Sequence, residues 1–271
     1  MKQFVLRLIL FLVILLVVFG VYRLLTVDAL EPRAFFEDAS DKPLVIVDTG
    51  HGSFGVPYSL AAMEAARDSG AGGLYLPVYL TRDGELAVLP SSQDAQGSDF
   101  RSGASTLTLD DVRTLGAEQG LEVASLNEVL RAFPEMRFFV DMPEPSFGAL
   151  SALLIASDAS SALDRLVVRV DNQQLADALR HQVPSLTTTY TSGEYDAFSP
   201  VFALGLTPFY RPAAPAIVAP LPEVSPRLIR VGDNGGFYIV AGAVGQARET
   251  IEDWLESDLD AIIVSETSQI N

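Results

Sequence analysis

Gly70–Pro90, with the sequence GAGGLYLPVYLTRDGELAVLP, contains the pattern that decides the fold. Apolar residues alternate before the Asp83-Gly84 pair and again after it, which is typical of two β-strands joined by a tight turn. Short apolar runs with the composition of buried strands recur along the rest of the chain. They are Leu44–Val47, Arg137–Met142, Leu166–Val170, Ser185–Tyr190, Ala216–Ala219, Gly236–Val240 and Ala261–Ser265.

Helical segments are predicted between these strands, several of them after a good N-cap residue. They are Leu60–Arg67 after Ser59, Leu107–Leu115 with its start at Thr108, Phe147–Ala156, Asn172–His181 and Gln246–Leu255. Ser125–Phe133, which contains Glu128, is predicted as an amphipathic turn region. The alternation predicts an α/β fold of about eight strand–helix units, which suits a TIM (β/α)8 barrel. A doubly wound open sheet is the alternative, because alternation alone does not close a barrel.

The N-terminus is strongly apolar, with no charge between Leu8 and Tyr22. This run is long enough to cross a membrane if Arg7 and Arg23 reach the two interfaces. The sequence therefore predicts one N-terminal transmembrane helix before the barrel, with residues 1–27 as anchor, 28–42 as tether and 43–271 as barrel. The alternative is a cleaved signal peptide, for which Val27-Asp28-Ala29 is a poor cleavage site.

Lys2 and Arg7 precede the apolar run, so the positive-inside rule favours a cytoplasmic N-terminus and an extracytoplasmic domain, although Arg23 follows the run. The formal net charge of the whole chain is −17. Such a surface repels nucleic acid, which is not expected as a partner. The chain contains no cysteine, which excludes disulfides, thiolate nucleophiles and cysteine-ligated metals.

Gly70–Pro90 resembles a segment of the glycerophosphodiester phosphodiesterase family, which has the form GADGLELDVxLTxDGxxVVxHD. Tyr75 and Pro77 stand where the family places a metal-binding Glu-x-Asp pair, and Pro90 stands where it places a catalytic histidine. Asp48–Ala65 (DTGHGSFGVPYSLAAMEA) is similar to the family's opening motif, and Phe139–Pro145 (FVDMPEP) to its Ile-Glu-Ile-Lys strand. The resemblance covers about residues 44–266 and implies the barrel rather than the open sheet.

The resemblance places the family's metal ligands at Pro57, Tyr75, Pro77 and Asp141. A hard divalent cation needs several oxygen ligands, and only Asp141 supplies a carboxylate. Asp141 is therefore the candidate metal ligand of a vestigial site. No cofactor is expected, and calcium or magnesium is the alternative if the protein is active.

His51 matches the family's first histidine and is the candidate catalytic residue. The other histidine, His181, is predicted at the end of an outer helix, so the family's pair of histidines cannot form. Gly52 and Ser53 belong to a glycine-rich turn whose backbone amides could bind an anion.

The sequence favours a membrane-anchored, catalytically degenerate domain that acts as a binding or scaffold module. The alternative is an active phosphoric diester hydrolase that takes its ligands from shifted acids, namely Asp48, Asp141, Glu144 or Asp94. A third possibility is a small-ligand sensor for another membrane protein. The expected partners are the membrane, through the N-terminal helix, and either a small phosphate-containing ligand or another membrane protein.

Overall fold

The computed structural model describes residues 2–26, 33–37, 43–51, 53–90 and 103–265. Helix α1 (Lys2–Thr26) and the single-turn helix α2 (Ala34–Glu37) come first. The elements that follow are β1 (Leu44–Val47), α3 (Leu60–Asp68), β2 (Gly73–Leu80), β3 (Leu86–Val88), α4 (Leu109–Glu118), α5 (Leu126–Ala132), β4 (Arg137–Met142), α6 (Phe147–Ala159), β5 (Leu166–Val170), α7 (Gln173–Gln182), β6 (Thr187–Thr188), α8 (Ser192–Ala203), β7 (Ala216–Pro220), α9 (Pro226–Gly235), β8 (Tyr238–Gly242), α10 (Arg248–Leu255) and β9 (Ala261–Val264).

The strands form a nearly closed parallel barrel surrounded by helices. The strand order is β6-β5-β4-β2-β1-β9-β8-β7, and β3 pairs with β2 outside this path. One parallel bridge, between Thr189 and Ala216, joins the two ends of the order, and the Tyr190 amide donates to the Ala216 carbonyl at 2.9 Å. The predicted TIM barrel is therefore confirmed. The open sheet is wrong, because its two edges would be unpaired.

The predicted strand–turn–strand segment is also confirmed. β2 and β3 pair antiparallel, and Gly84 adopts a φ of 86°, where glycine is favoured. The Asp83 carboxylate accepts hydrogen bonds from the Thr81 hydroxyl at 2.6 Å and from the Leu109 amide at 3.1 Å. The turn thereby also holds the start of α4.

The outer helices begin where the capping signals predicted. Ser59 caps α3, and Thr108 forms a capping box at the start of α4. The amphipathic region at Ser125 is a further helix, α5, with a capping box of its own. Three helices, α2, α8 and α9, were not predicted. α9 ends at Gly235, and Gly236 after it takes the left-handed C-cap position.

The base of the barrel, where the strands begin, is closed by the segment that was predicted as a tether. Phe35 and Phe36 of α2 are buried in a cluster with interior strand residues such as Ile46 and Phe139. The Phe36 ring stacks on Tyr238 with 4.0 Å between ring centroids. α2 therefore acts as an apolar plug, which leaves the opposite end, the mouth, as the open face.

The C-terminal part of helix α1 packs against the base of the barrel. Gly20 is buried there, and a Cβ atom at this position would lie 2.5 Å from the Phe209 ring. Phe209 belongs to the connection between α8 and β7, which is on the base side. Among the described residues, no helix combines the length and the apolarity that crossing a membrane requires.

Candidate functional site

A cavity of about 580 Å³ opens at the mouth of the barrel. It lies at the carboxyl ends of the strands, the end at which TIM barrels carry their active sites. Residues of β2, β5, β7, β8 and β9, of the segments that follow the strands and of the start of α8 line it, including Asp48, Tyr75, Arg169, Asp171, Tyr195 and Glu223. The volume is sufficient for a metabolite-sized ligand.

Asp141 lies beside two residues that line this cavity, Tyr75 and Arg169, and both of its carboxylate oxygens are engaged. The strand register places it level with Pro77 on β2 and with Arg169 on β5. The Tyr75 hydroxyl donates a hydrogen bond to Oδ2 at 2.5 Å, and Nε of Arg169 lies 3.5 Å from Oδ1. The carboxylate therefore has a neutral donor on one side and a positive charge on the other.

Tyr75 remains a proton donor throughout the physiological range. Burial of its ring and the negative charge of Asp141 raise the pKa of its hydroxyl far above the ordinary value. The ring also stacks on Phe139, with 5.7 Å between centroids. The side chain is thus fixed by packing and by its hydrogen bond.

A second polar group surrounds Asp48, which is buried directly after β1. Its Oδ1 accepts hydrogen bonds from the Tyr58 hydroxyl at 2.7 Å and from the Gly50 amide at 2.9 Å. Nδ1 of His51 lies 3.8 Å from its Oδ2. The structure therefore places the predicted catalytic histidine beside a carboxylate at the mouth.

Tyr58 needs an unusual backbone to reach Asp48. Its φ is 55°, a left-handed conformation that a bulky residue rarely adopts. Its ring packs so closely on Gly50 that a Cβ at residue 50 would collide with it. The glycine and the strained tyrosine are therefore a matched pair that holds Asp48 in position.

No protein-family model matches this chain, and no curated protein matches it either. Solved structures do. A structure named as a glycerophosphoryl diester phosphodiesterase from Silicibacter pomeroyi DSS-3 has a TM-score of 0.69 and 16% sequence identity, and the match covers 88% of this chain and 96% of that one. Glycerophosphodiester phosphodiesterases from Agrobacterium tumefaciens and Thermotoga maritima match with TM-scores of 0.67 and 0.64 at 15% and 16% identity. These two matches cover 84% of this chain, and 97% and 96% of the respective proteins.

The chain has the fold of the glycerophosphodiester phosphodiesterases. This confirms the resemblance inferred from Gly70–Pro90. Sequence identities of this size establish the fold alone, so the chemistry has to be judged from the residues at the mouth.

The residues at the mouth do not fit the divalent cation that the glycerophosphodiester phosphodiesterase resemblance implies. Among the described residues, no group of three His, Cys, Asp or Glu side chains could hold a metal ion. Pro57, Pro77 and Pro90 offer no side-chain donor, and Tyr75 uses its hydroxyl to donate to Asp141. Arg169 also places a positive charge beside Asp141, where a cation would have to bind.

The other predicted residues do not converge on one centre. Ser53 is exposed in the turn after His51, while Gly52 and Asp94 lie outside the described residues. Glu144 is exposed beyond the end of β4. His181 is exposed in the last turn of α7, as predicted for an outer helix. Roles for His51, Gly52 and Ser53 remain predictions.

Sequence reasoning missed the wall of the cavity that is built around α8. Asp171 accepts hydrogen bonds from the Ser192 amide at 2.7 Å and from its hydroxyl at 2.6 Å, and these bonds lower the pKa of the carboxyl group. The Tyr195 hydroxyl donates to Glu223 at 2.7 Å, and burial together with this carboxylate raises the tyrosine pKa to about 12. Asp171 could have been found from its position directly after β5, whereas Tyr195 and Glu223 meet only in the folded chain.

Proposed function

We propose that this chain is a binding module built on the glycerophosphodiester phosphodiesterase fold, without metal-dependent hydrolysis of phosphodiesters. The observation that carries the proposal is the state of Asp141. It is the one carboxylate at the positions where the resemblance implies metal ligands, and both of its oxygens are engaged by Tyr75 and Arg169. The mouth cavity keeps the size of a ligand site.

A metal-dependent assay tests this proposal. The full chain would be incubated with a glycerophosphodiester in the presence of calcium, magnesium or manganese, with the Agrobacterium tumefaciens protein as a positive control. We expect no turnover above the rate without metal, and no saturable heat on titration with the three cations. Metal-dependent turnover that the His51→Ala variant loses would overturn the proposal.

The second candidate function is an active phosphoric diester hydrolase with a relocated set of catalytic groups. The 3.8 Å separation of His51 and Asp48 favours it, because a carboxylate that orients a histidine is a common general acid–base arrangement. Under this hypothesis the Asp48→Asn variant and the His51→Ala variant would each lose hydrolysis. A rate of phosphodiester cleavage that neither variant changes would eliminate this candidate.

We also propose that α1 attaches the domain to a membrane, with the domain on the extracytoplasmic side. Each apolar side chain from Ile9 to Phe19 is more than half exposed, and an apolar surface of this extent indicates an interaction site. A helix that is apolar on all faces suits a lipid environment. If another membrane protein covers the same helix, this chain would act as a small-ligand sensor for that protein.

Flotation with vesicles of phosphatidylcholine and phosphatidylglycerol tests the attachment. We expect the full chain to float with the vesicles and a Leu12→Glu, Leu16→Glu double variant to float less. A Glu249→Gln variant on the outer helix α10 controls for an unrelated change of charge. Recovery of the unaltered chain in the vesicle-free fraction would contradict the proposal.

A further inference from the structure

The mouth cavity has an excess of negative charge along one wall. Asp171 follows β5, Asp196 belongs to α8, and Glu223 follows β7, and all three side chains line the cavity. Among the described residues, no cationic nitrogen lies within 4 Å of these three carboxylates, and the more distant positive charge of Arg169 helps to lower the pKa of Asp171. The field inside a cleft lined by one sign of charge attracts ligands of the opposite sign.

Arg169 does not reverse this balance. It is the one basic side chain among the described residues that line the cavity, and its Nε faces Asp141 at 3.5 Å. Asp48 adds a further carboxylate to the lining. A phosphate group that entered the cavity would therefore meet more negative than positive charge.

An aromatic ring lies beside the acidic wall. It is the ring of Tyr195, whose hydroxyl joins it to Glu223. Rings next to carboxylates form the usual environment for an ammonium group, because the ring face carries partial negative charge. This combination distinguishes the wall from a simple cluster of solvated acids.

A buried hydroxyl gives an independent indication of a polar ligand. Thr189 is 1% exposed, and its Oγ1 has no hydrogen-bond partner among the residues that the structure describes. Its neighbour Thr188 accepts a hydrogen bond from Arg180 of the outer helix α7, so strand alternation directs Thr189 to the barrel interior, onto which the cavity opens. A buried hydroxyl without a partner costs free energy, which a polar ligand reaching this point would recover.

We propose that the mouth cavity binds a small organic cation, an ammonium compound, between the carboxylates of Asp171, Asp196 and Glu223 and the ring of Tyr195. This inference rests on the proposed binding function and specifies its ligand class. It replaces the expectation of a phosphate-containing ligand, which came from the family resemblance and not from the lining of the cavity.

Calorimetric titration of the full chain in mild detergent tests the ligand class. The probes are tetramethylammonium chloride, ethylammonium chloride and sodium glycerol 3-phosphate, each at matched ionic strength. We expect saturable binding of the ammonium probes that weakens as salt is raised, and no binding of glycerol 3-phosphate. The absence of binding by both ammonium probes would overturn the proposal.

Isosteric variants test the wall itself. Asp196→Asn and Glu223→Gln each remove one charge, and we expect about two- to fivefold weaker binding of tetramethylammonium for each. Asp158→Asn removes the same charge from the outer face of α6 and should leave binding unchanged. A thermal melt of each variant verifies folding. Equal affinities for the wall variants and the Asp158→Asn control would overturn the assignment.

The outcomes separate the two proposals. Binding of glycerol 3-phosphate in place of the ammonium probes would overturn the ligand class and leave the binding module standing. Metal-dependent cleavage of a phosphodiester would overturn the binding module itself. Ammonium binding that depends on Asp196 and Glu223, without such cleavage, supports both.

Discussion

Single residues determine whether the mouth can do the chemistry that its fold suggests. Tyr75 and Arg169 occupy the surroundings of Asp141, so the protein supplies its own hydrogen-bond donor and its own positive charge there. Breaking such an arrangement is costly, because a carboxylate that is only 8% exposed would lose its donor.

We therefore predict that Tyr75→Phe destabilises the protein by about 1.5–3 kcal/mol, the range for a hydrogen bond to a charged group. Urea unfolding measures the change. A double-mutant cycle with Asp141→Asn isolates the coupling of the pair from the other effects of each substitution. Additive effects of the two substitutions would show that the hydrogen bond contributes nothing.

A second prediction concerns Gly50. Gly50→Ala places a methyl group against the Tyr58 ring, and we expect a loss of about 1–3 kcal/mol of stability together with displacement of Tyr58 from Asp48. Gly193→Ala is the matched control, because a Cβ at this helical position meets nothing within 4 Å and should stabilise by up to about 1 kcal/mol. Urea unfolding of both variants gives the comparison, and equal stabilities would contradict the steric argument.

At the scale of elements, α2 is too short to be stable by itself and depends on what it buries. Its two phenylalanines fill the base of the barrel, and Arg33 beside it holds the segment through bonds to the Tyr238 hydroxyl and the Pro184 carbonyl. The element therefore closes the base of the barrel instead of acting as a free connection.

We predict that Phe36→Ala lowers the free energy of unfolding by about 3–5 kcal/mol, because it empties a buried aromatic site. Phe147→Ala on α6 is the control, since that ring is 58% exposed and its removal should change stability by less than about 0.5 kcal/mol. Chemical denaturation measures both. A loss at Phe36 no larger than at Phe147 would show that α2 does not stabilise the barrel.

At the scale of the whole molecule, α1 and the mouth lie at opposite ends of the barrel. Gly20 contacts Phe209 on the base side, while the cavity opens at the carboxyl ends of the strands. A ligand in solution can therefore reach the mouth without passing α1.

The absence of native cysteine makes this arrangement testable. We predict that Gly20→Cys combined with Phe209→Cys is crosslinked efficiently by a short bismaleimide in the full chain. Leu12→Cys with Phe209→Cys should react poorly, because Leu12 lies eight residues, or about 12 Å along the helix, away from Gly20. Equal crosslinking of the two pairs would contradict the docking of α1.

Stability at alkaline pH is a second property of the whole molecule. Burial raises the pKa of Tyr75 and Tyr190, and it also raises that of Tyr195, to about 12. Unfolded tyrosines ionise near pH 10, so above that pH the unfolded chain holds fewer protons than the native one. The stabilisation is complete below about pH 10, and we expect it to fall as pH rises further.

Urea unfolding between pH 7 and pH 12 measures this dependence, and absorbance at 295 nm follows tyrosine ionisation. The Tyr75→Phe variant should show a shallower alkaline decline than the unaltered chain. A free energy of unfolding that stays constant up to pH 12 would contradict the direction of these pKa shifts.

The sequence by itself determined the order of strands and helices, and its resemblance to a known family favoured the barrel over the open sheet. Alternating apolar runs, the Asp83-Gly84 turn and the caps at Ser59, Thr108 and Ser125 are local signals, and local backbone preferences are sufficient to read them. They also placed His51 and Asp141 at strand ends, where a barrel presents its functional side chains.

Only the tertiary structure decided what surrounds these residues. Tyr75 meets Asp141 across 66 positions of sequence, and Tyr195 meets Glu223 across 28 positions. α8 and α9 gave weak local signals, and the role of Phe36 depends on the barrel it fills. The physical reason is that a cavity is formed by side chains from separate strands, whose distances and charges are fixed only when the barrel closes.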